Sequence, residues 1–558
     1  MNTRTGSHTK KPRPVSPSLA HPVDRLARDV LVPLLLLWMF LACCFPLFDT
    51  DIFWHLKTGE WILQNGTVPG YDLYTFVDFN NRWIDLHWGF QVTAAILYRI
   101  GGANLLILSK SAILTLALGV GCYGTGRDLT GWQRAACWIL PAITISGRGY
   151  ERPEIVTVLC LAIWLAIVSR LETRPRLIRI LPLLQVIWIN CHALYILGLV
   201  VGVCYAIDCV ARKMAGGRYG LSTLPVSVPV PAFVGAGLLC GLASLANPYL
   251  EEGALFPFVL FRKFTVDQAF YSSNIGEFRP PVAFLMEHGP VNLYLNAEIM
   301  LWLLATISFI VLAVRGRVNL FRSLLFVAFS YLAWKASRNT NIFSVVAGSV
   351  LAENISDIVN VPATSMTTSR KKVMMSTLAR PGVGILLVVM IIAVVTGTWN
   401  SITEKVRPFR LGEARSWFAH DAAKFMNRPG FPQRVFASNF GVASVYTYHN
   451  GPKGKVFMDG RLEVCSQRTF QEFKEIGRRM SMADSSWAEM LRDTDGNLPA
   501  VMLDSRYSRL LIFGIGQTPG WRLVYADQAA FVFFDERVAE ALHLPEASPD
   551  PLFSVPPL

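Results

Sequence analysis

The sequence predicts a polytopic α-helical membrane protein of about eleven transmembrane helices, followed by a C-terminal extracytoplasmic α/β domain. Three observations predict it. Of 558 residues, 52% are hydrophobic and only 16% are charged, with mean hydropathy +0.38, where a soluble chain carries about 25% charge. Apolar runs near the ~20 residues needed to cross a ~30 Å hydrocarbon core recur through the first 399 positions. Lysines and arginines gather in every second loop between those runs, so the net charge of +13 sets orientation and points away from a nucleic-acid partner.

Residues 1–29, rich in Pro, Ser, Thr and Lys, are expected to be a disordered cytoplasmic arm. Spans are predicted at 30–48, 103–123, 132–147, 154–169, 178–190, 193–211, 226–246, 291–314, 319–335, 340–358 and 382–399, the 178–211 region being the hardest to divide. No small-residue cleavage site follows Phe48, so the first span reads as an anchor and not a signal peptide. The basic loops are Arg127 to Arg134, Arg170 to Arg179, Arg212 to Arg218, Arg315 to Arg322 and Arg370 to Arg380. Between them lie acid-richer outer loops at 49–102 and 247–290. The alternation predicts a cytoplasmic N-terminus, and an odd span count places residues 400–558 outside. In that tail, 411–427 and 467–480 have helical spacing, 434–438, 455–458 and 500–503 read as strands, and 521–535 reads as a hairpin turning at Asp527 and Gln528. Nine of the ten cysteines lie in or beside apolar runs, which leaves no disulfide framework or metal-ligand spacing.

Chemistry-bearing residues collect at the outer ends of the spans. Asp49-Thr50-Asp51 follows the first span, and a helix starting there puts Asp51 and His55 one turn apart, able to approach one ligand, proton or metal ion. A carboxylate at the apolar boundary has its pKa raised and can serve as a general base or hold a divalent cation. The plainer reading is an N-cap aspartate followed by an interfacial Trp-His belt. A second pair, Asp85 and His87, sits between Trp83 and Trp88, where an aromatic girdle competes with a carbohydrate or head-group site. Arg148, Arg152 and Arg338 break the positive-inside pattern and suit a phosphate or diphosphate, unless they snorkel or pair with Glu151 or Glu154. Asn190 and His192 at a short outer turn, and Asn247 in the middle loop, either contact substrate or satisfy helix ends. Asp459-Gly460-Arg461 reads as a salt-bridged turn.

Taken together, the layout resembles the GT-C superfamily of membrane glycosyltransferases, which includes protein O-mannosyltransferases and oligosaccharyltransferase subunits, and most closely a set of uncharacterised bacterial relatives. The stretches that carry the resemblance are Asp51 to Leu63 with Val68 to Asp72, Trp83 to Trp88, Arg152-Pro153-Glu154, Trp188 to His192, Asn247-Pro248-Tyr249 and Met458 to Glu463. The resemblance implies transfer of a sugar from a polyprenyl-phosphate carrier to an acceptor at the outer face of a bacterial inner membrane. An acidic residue of the first outer loop would act as base or metal ligand. That role falls on Asp51 or Asp49, with Asp85 as a second carboxylate, and Asp51 with His55 if a divalent cation is held. Arg148, Arg152 and Arg338, with His55, His87 and His192, would meet the donor and its phosphate. The Asp-Glu pair of protein O-mannosyltransferases is absent, because Thr50 separates Asp49 from Asp51. The competing expectation is a non-catalytic membrane protein for lipid or polysaccharide export or partner binding. A transporter places charge at mid-span, whereas the candidates here gather at outer ends.

Overall fold

The computed structural model describes residues 22–77, 81–215, 230–289, 291–360, 366–403, 408–414 and 416–548. Most of the N-terminal arm, residues 1–21, lies outside the described residues. The first helix, α1 (Pro22–Ala42), is followed by α2 (Ile52–Asn65), whose N-cap is Asp51 and whose last turn stops at Gly66 in the left-handed conformation. Next comes α3 (Trp88–Gly124), broken at Gly102, where φ 60° and ψ −154° interrupt the helix. That break separates a loop-side half from the apolar half that begins at the predicted span 103–123. The first predicted outer loop is therefore largely helical.

The sequence continues through α4 (Gly131–Gly147), α5 (Glu154–Val168), α6 (Leu181–Ile189), α7 (Ile196–Ala215) and α8 (Val230–Ala243). The middle predicted loop folds into α9 (Leu250–Val266), α10 (Gln268–Asn274) and α11 (Pro281–His288). It leads to α12 (Leu293–Val314), α13 (Leu320–Lys335), α14 (Thr340–Val359) and α15 (Met366–Val395). Among the described residues, five helical segments are long and apolar enough to cross a membrane: Trp88–Gly124, Ala193–Met214, Leu293–Val314, Ser337–Val359 and Thr377–Val395. Val30–Ala42, Glu154–Val168 and Pro231–Ala243 are shorter apolar helices. The chain is a multi-pass helical membrane protein. Leu116, Leu238, Ile307, Val327 and Ile385 are exposed on these helices, a surface that is stable facing lipid and costly in water. α14 is the buried centre of the bundle, packed against α4, α12 and α13.

The C-terminal region is α/β. After α16 (Thr398–Ile402) come α17 (His420–Phe425), β1 (Arg434–Ala437), α18 (Phe440–Asn450), β2 (Lys455–Val456), α19 (Gln467–Ser481), α20 (Ser486–Glu489), β3 (Ala500–Asp504), α21 (Arg509–Gly516), β4 (Trp521–Ala526), β5 (Ala530–Asp535) and α22 (Glu536–Ala541). The five strands form one sheet in the order β2-β1-β3-β5-β4, parallel from β2 to β3 and antiparallel beyond. Asp527 closes the β4–β5 hairpin, its Oδ1 accepting from the N–H groups of Ala529 and Ala530 at 2.7 and 2.8 Å. Helical spacing over 411–427 yields a helix only at 420–425, and α18 is an additional helix that the sequence pattern did not single out. α18 joins the two regions, because Ser444 Oγ accepts from the Trp54 N–H at 3.0 Å.

Candidate active site

The site forms where α1 ends, the α4–α5 turn returns and the middle loop closes over both. Asp49 lies just beyond α1, and its Oδ1 accepts from the Asp51 N–H at 2.8 Å. This fixes Asp51 ahead of α2, where it takes the N-cap position without a side-chain cap bond, leaving its carboxylate free for other partners. Arg152 supplies them. Its Nε donates to Asp49 at 2.6 Å, one terminal nitrogen stands 3.0 Å from Asp51, and the other reaches Glu277 at 3.3 Å. Asp51 is 19% exposed. Burial drives its carboxyl up to about 7; Arg152 opposes this, while Asp49, Glu277 and Asp459 reinforce it.

Glu277, in a short 3-10 turn at Gly276–Phe278, meets all three predicted arginines. Arg148 reaches it at 3.2 Å and Arg338 at 3.6 Å, in addition to Arg152. Burial raises its carboxyl, but the three guanidiniums outweigh that and hold it below the usual carboxylate range. Arg148 also pairs with Glu154 at 3.4 Å, as the plainer reading of that arginine expected. Glu277 was visible in the sequence only as one acid among several in the middle loop. The available signal was that an acid-bearing loop faces arginines out of place under the positive-inside rule.

Glu151 does not pair with these arginines. It binds Lys110 of α3 at 2.6 Å, both side chains being almost wholly buried, and Lys110 Nζ sits 3.3 Å from the centre of the Phe45 ring. This ion pair pins the Arg148–Arg152 turn to α3, and sequence reasoning missed it because Lys110 stands alone in an apolar run.

Asp85 and the histidines form a neighbouring row. Asp85 is fully buried and pairs with His87 Nδ1 at 3.4 Å, with no ion pair to an arginine among the described residues. Burial pulls the His87 ring down, but its contact with Asp85 prevails and raises it. His55 is tied to Asp51 through the helix backbone, while its ring lies 3.6 Å from that of Trp54 and its Nδ1 3.4 Å from Gln91 Nε2. His192 Nδ1 pairs with Thr157 Oγ1 at 2.8 Å. The His87 ring lies 5.9 Å from that of His55 and 5.4 Å from that of His192. Asn190 serves structure, its Oδ1 accepting from Trp88 Nε1 at 2.8 Å and its amide capping carbonyls.

The C-terminal region completes the wall. A Cβ on Gly460 would stand 2.4 Å from Asp51 Oδ1, so any larger residue here would push the carboxylate aside. Next to it, Arg461 is fully buried and paired with Asp459 at 2.7 Å and Asp72 at 2.6 Å, its guanidinium 4.5 Å from the Trp83 ring. The expected salt-bridged turn is therefore also a clamp between the tail and the first loop, and Trp83 is core and not an interfacial girdle.

No protein-family model and no curated protein sequence matches the chain. Solved structures do. The archaeal oligosaccharyltransferase AglB from Archaeoglobus fulgidus, in complex with an inhibitory peptide and a dolichol-phosphate, superposes with TM-score 0.53 at 10% identity, covering 90% of this chain and 74% of that one. The apo oligosaccharyltransferase of the same organism gives 0.54 at 11% identity over 91% and 74%. ArnT from Cupriavidus metallidurans in the apo state gives 0.50 at 11% identity over 90% and 97%. Both are GT-C membrane glycosyltransferases. The chain has the GT-C fold.

Within this GT-C fold the expected metal pair is not assembled. The His55 ring is engaged with Trp54 and Gln91, and Asp49, Asp51 and Glu277 each already face Arg152. Among the described residues, no group of three or more His, Cys, Asp or Glu side chains is placed to hold a metal ion. In this arrangement the three carboxylates face a guanidinium, and the chemistry derived below uses the chain's own residues.

Proposed function

We propose that this protein transfers a sugar from a polyprenyl-phosphate carrier to an acceptor hydroxyl at the extracytoplasmic face of a bacterial inner membrane. The observation that carries this reading is the Asp51 carboxylate, raised to about 7 and held 3.0 Å from Arg152, which Glu277 links to Arg148 and Arg338, on a GT-C fold. We take residues 30–399 as the membrane domain of eleven spans, with the N-terminus cytoplasmic and residues 400–558 as the extracytoplasmic domain; the alternation of basic and acidic loops supports that orientation.

The lipid carrier lies in the bilayer while the acceptor approaches from water, so reaction belongs at the boundary where the first loop leaves α1. Asp51 takes the acceptor's O–H proton as the oxygen bonds to the anomeric carbon, and the bond from that carbon to the carrier oxygen breaks with inversion. The leaving phosphate keeps the electron pair and is stabilised by Arg148, Arg152 and Arg338. A base with a pKa near ambient pH is half deprotonated and still a good proton acceptor. Asp49 orients Asp51 through its N–H, and Gly460 with the Arg461 clamp excludes water from one side. Asp85 is assigned with His87 to the adjoining wall, where the histidine row suits hydroxyl groups of donor or acceptor.

The test is transfer by membranes containing the full chain, supplied with a radiolabelled polyprenyl-phosphate sugar. Asp51→Asn is expected to abolish transfer with expression and thermal stability retained. Undiminished transfer by Asp51→Asn would remove Asp51 as the base, and absence of turnover with every donor would favour a non-catalytic role.

A further inference from the structure

We propose that a cavity at the α3–α4 turn binds the phosphodiester head group of an anionic phospholipid, on the membrane face opposite the candidate active site. The 17 residues of α4 separate that turn from Arg148 by about 25 Å, close to the thickness of the hydrocarbon core. The proposal does not depend on the catalytic reading.

The cavity, of about 520 Å³, is lined by Val32 of α1 and by Tyr123, Arg127, Asp128, Leu129 and Arg134. Arg134 donates to the carbonyls of Cys122, Thr125 and Gly126 at the end of α3, the last two at 2.8 and 3.1 Å. This capping fixes the guanidinium in place without neutralising it. Arg127 is exposed and makes one bond, to the Ser169 carbonyl at 3.2 Å, so most of its five N–H donors are left for a ligand.

Arg170, just past α5, donates to the Tyr123 carbonyl behind the cavity. Burial and the guanidiniums of Arg127, Arg174 and Arg134 hold Arg170 below its ordinary value, and Glu353 opposes them. Asp128 accepts from Asn360 at 2.7 Å and Glu353 from the Gly126 N–H at 3.0 Å. Among the described residues neither carboxylate forms an ion pair with these arginines. Four arginines thus surround two carboxylates, and an anion entering the cavity relieves the crowding of like charges.

The walls favour a lipid as the source of that anion. Val32 and Leu129 are apolar, and Tyr123 is exposed on the face of α3 that also carries the exposed Leu116, two turns deeper in the bilayer. Phosphate oxygens at Arg127 therefore leave the acyl chains lying along α3, and the planar guanidinium suits a phosphodiester through two parallel bonds.

The test measures equilibrium binding of dioctanoyl phosphatidylglycerol and dioctanoyl phosphatidylcholine to the purified full chain in detergent. Both carry a phosphodiester, but only the first is a net anion. Wild type is expected to bind phosphatidylglycerol at least about tenfold more tightly. Arg127→Gln is expected to abolish that preference with thermal stability in detergent retained, Arg127→Lys to keep part of it, and Arg170→Gln to narrow it. Arg315→Gln, at the end of α12 and outside the cavity, is expected to bind as wild type does. Equal affinity of wild type for the two lipids, an undiminished preference in Arg127→Gln, or the same loss in Arg315→Gln overturns the site. Glycerophosphoglycerol, the head group without its chains, separates the two sources of phosphate. Competition at least about tenfold weaker than that of the lipid supports a lipid ligand, and equal competition overturns it in favour of a soluble phosphodiester.

Discussion

Gly460 of the C-terminal region packs against the carboxylate of Asp51 in the first loop so closely that an added Cβ would stand 2.4 Å from its Oδ1. The two residues are 409 positions apart (460 − 51), and their contact makes the α/β region part of the site's wall. Gly460→Ala is expected to push the Asp51 carboxylate off its position, and displacements of ~1 Å in such sites cost up to ~10²-fold in rate. A drop in kcat of tenfold or more, with little change in thermal unfolding, is the expected result; unchanged kcat would dissociate the tail from catalysis.

Asp51 should impose an acid limb on activity. The group works deprotonated and titrates near 7, so transfer should rise with pH through about 7. Stability should move the other way. Released from the fold, this carboxyl titrates at 3.8, so the native chain binds more protons between that value and about 7. Stability contributed by Asp51 therefore falls as pH rises across that window. Asp51→Asn should flatten the slope in thermal unfolding measured from pH 4 to pH 7.

Arg152 is the shared partner of Asp49, Asp51 and Glu277. Arg152→Gln leaves Asp51 beside Asp49 with no cation of its own, so the acid limb should move to higher pH as kcat falls. Arg152→Lys keeps the charge but offers a compact ammonium in place of the fork, and partial recovery is expected. The pH profiles of the two variants, compared with wild type, check this order.

Arg461→Met should destabilise the chain by ~3–5 kcal/mol, the cost of leaving Asp72 and Asp459 buried without their cation. Adding Asp72→Asn should recover part of the loss. Unfolding monitored in detergent, with limited proteolysis of the first loop as a second readout, measures both.

Lys110→Met should lower kcat and stability together, because Glu151 is left unpaired beside the turn that carries Arg152. The double variant Lys110→Met with Glu151→Gln removes both buried charges and should regain stability more than activity. Recovery of both in equal measure would make the pair structural only.

The sequence by itself determined the membrane class and the succession of apolar helices, and it singled out Asp49, Asp51, Arg148, Arg152 and Arg338 as charges at the ends of apolar runs. These follow from local causes: apolar runs fix where helices stop, and the polar residues at their ends can only lie at the boundary. The strand and turn chemistry of Asp527 was legible for the same reason. Tertiary structure alone decided that Glu277 joins the three arginines, that Asp85 is buried against His87, that Lys110 holds Glu151, and that Arg461 and Gly460 close on the first loop. Each of these except the Asp85–His87 pair links residues far apart in the chain, and ion pairs of that kind leave no periodic trace. They arise when packed helices bring charges into a region of low dielectric, where each charge must find its partner. Asp85–His87 was legible as a pair, but only packing set which wall it would face.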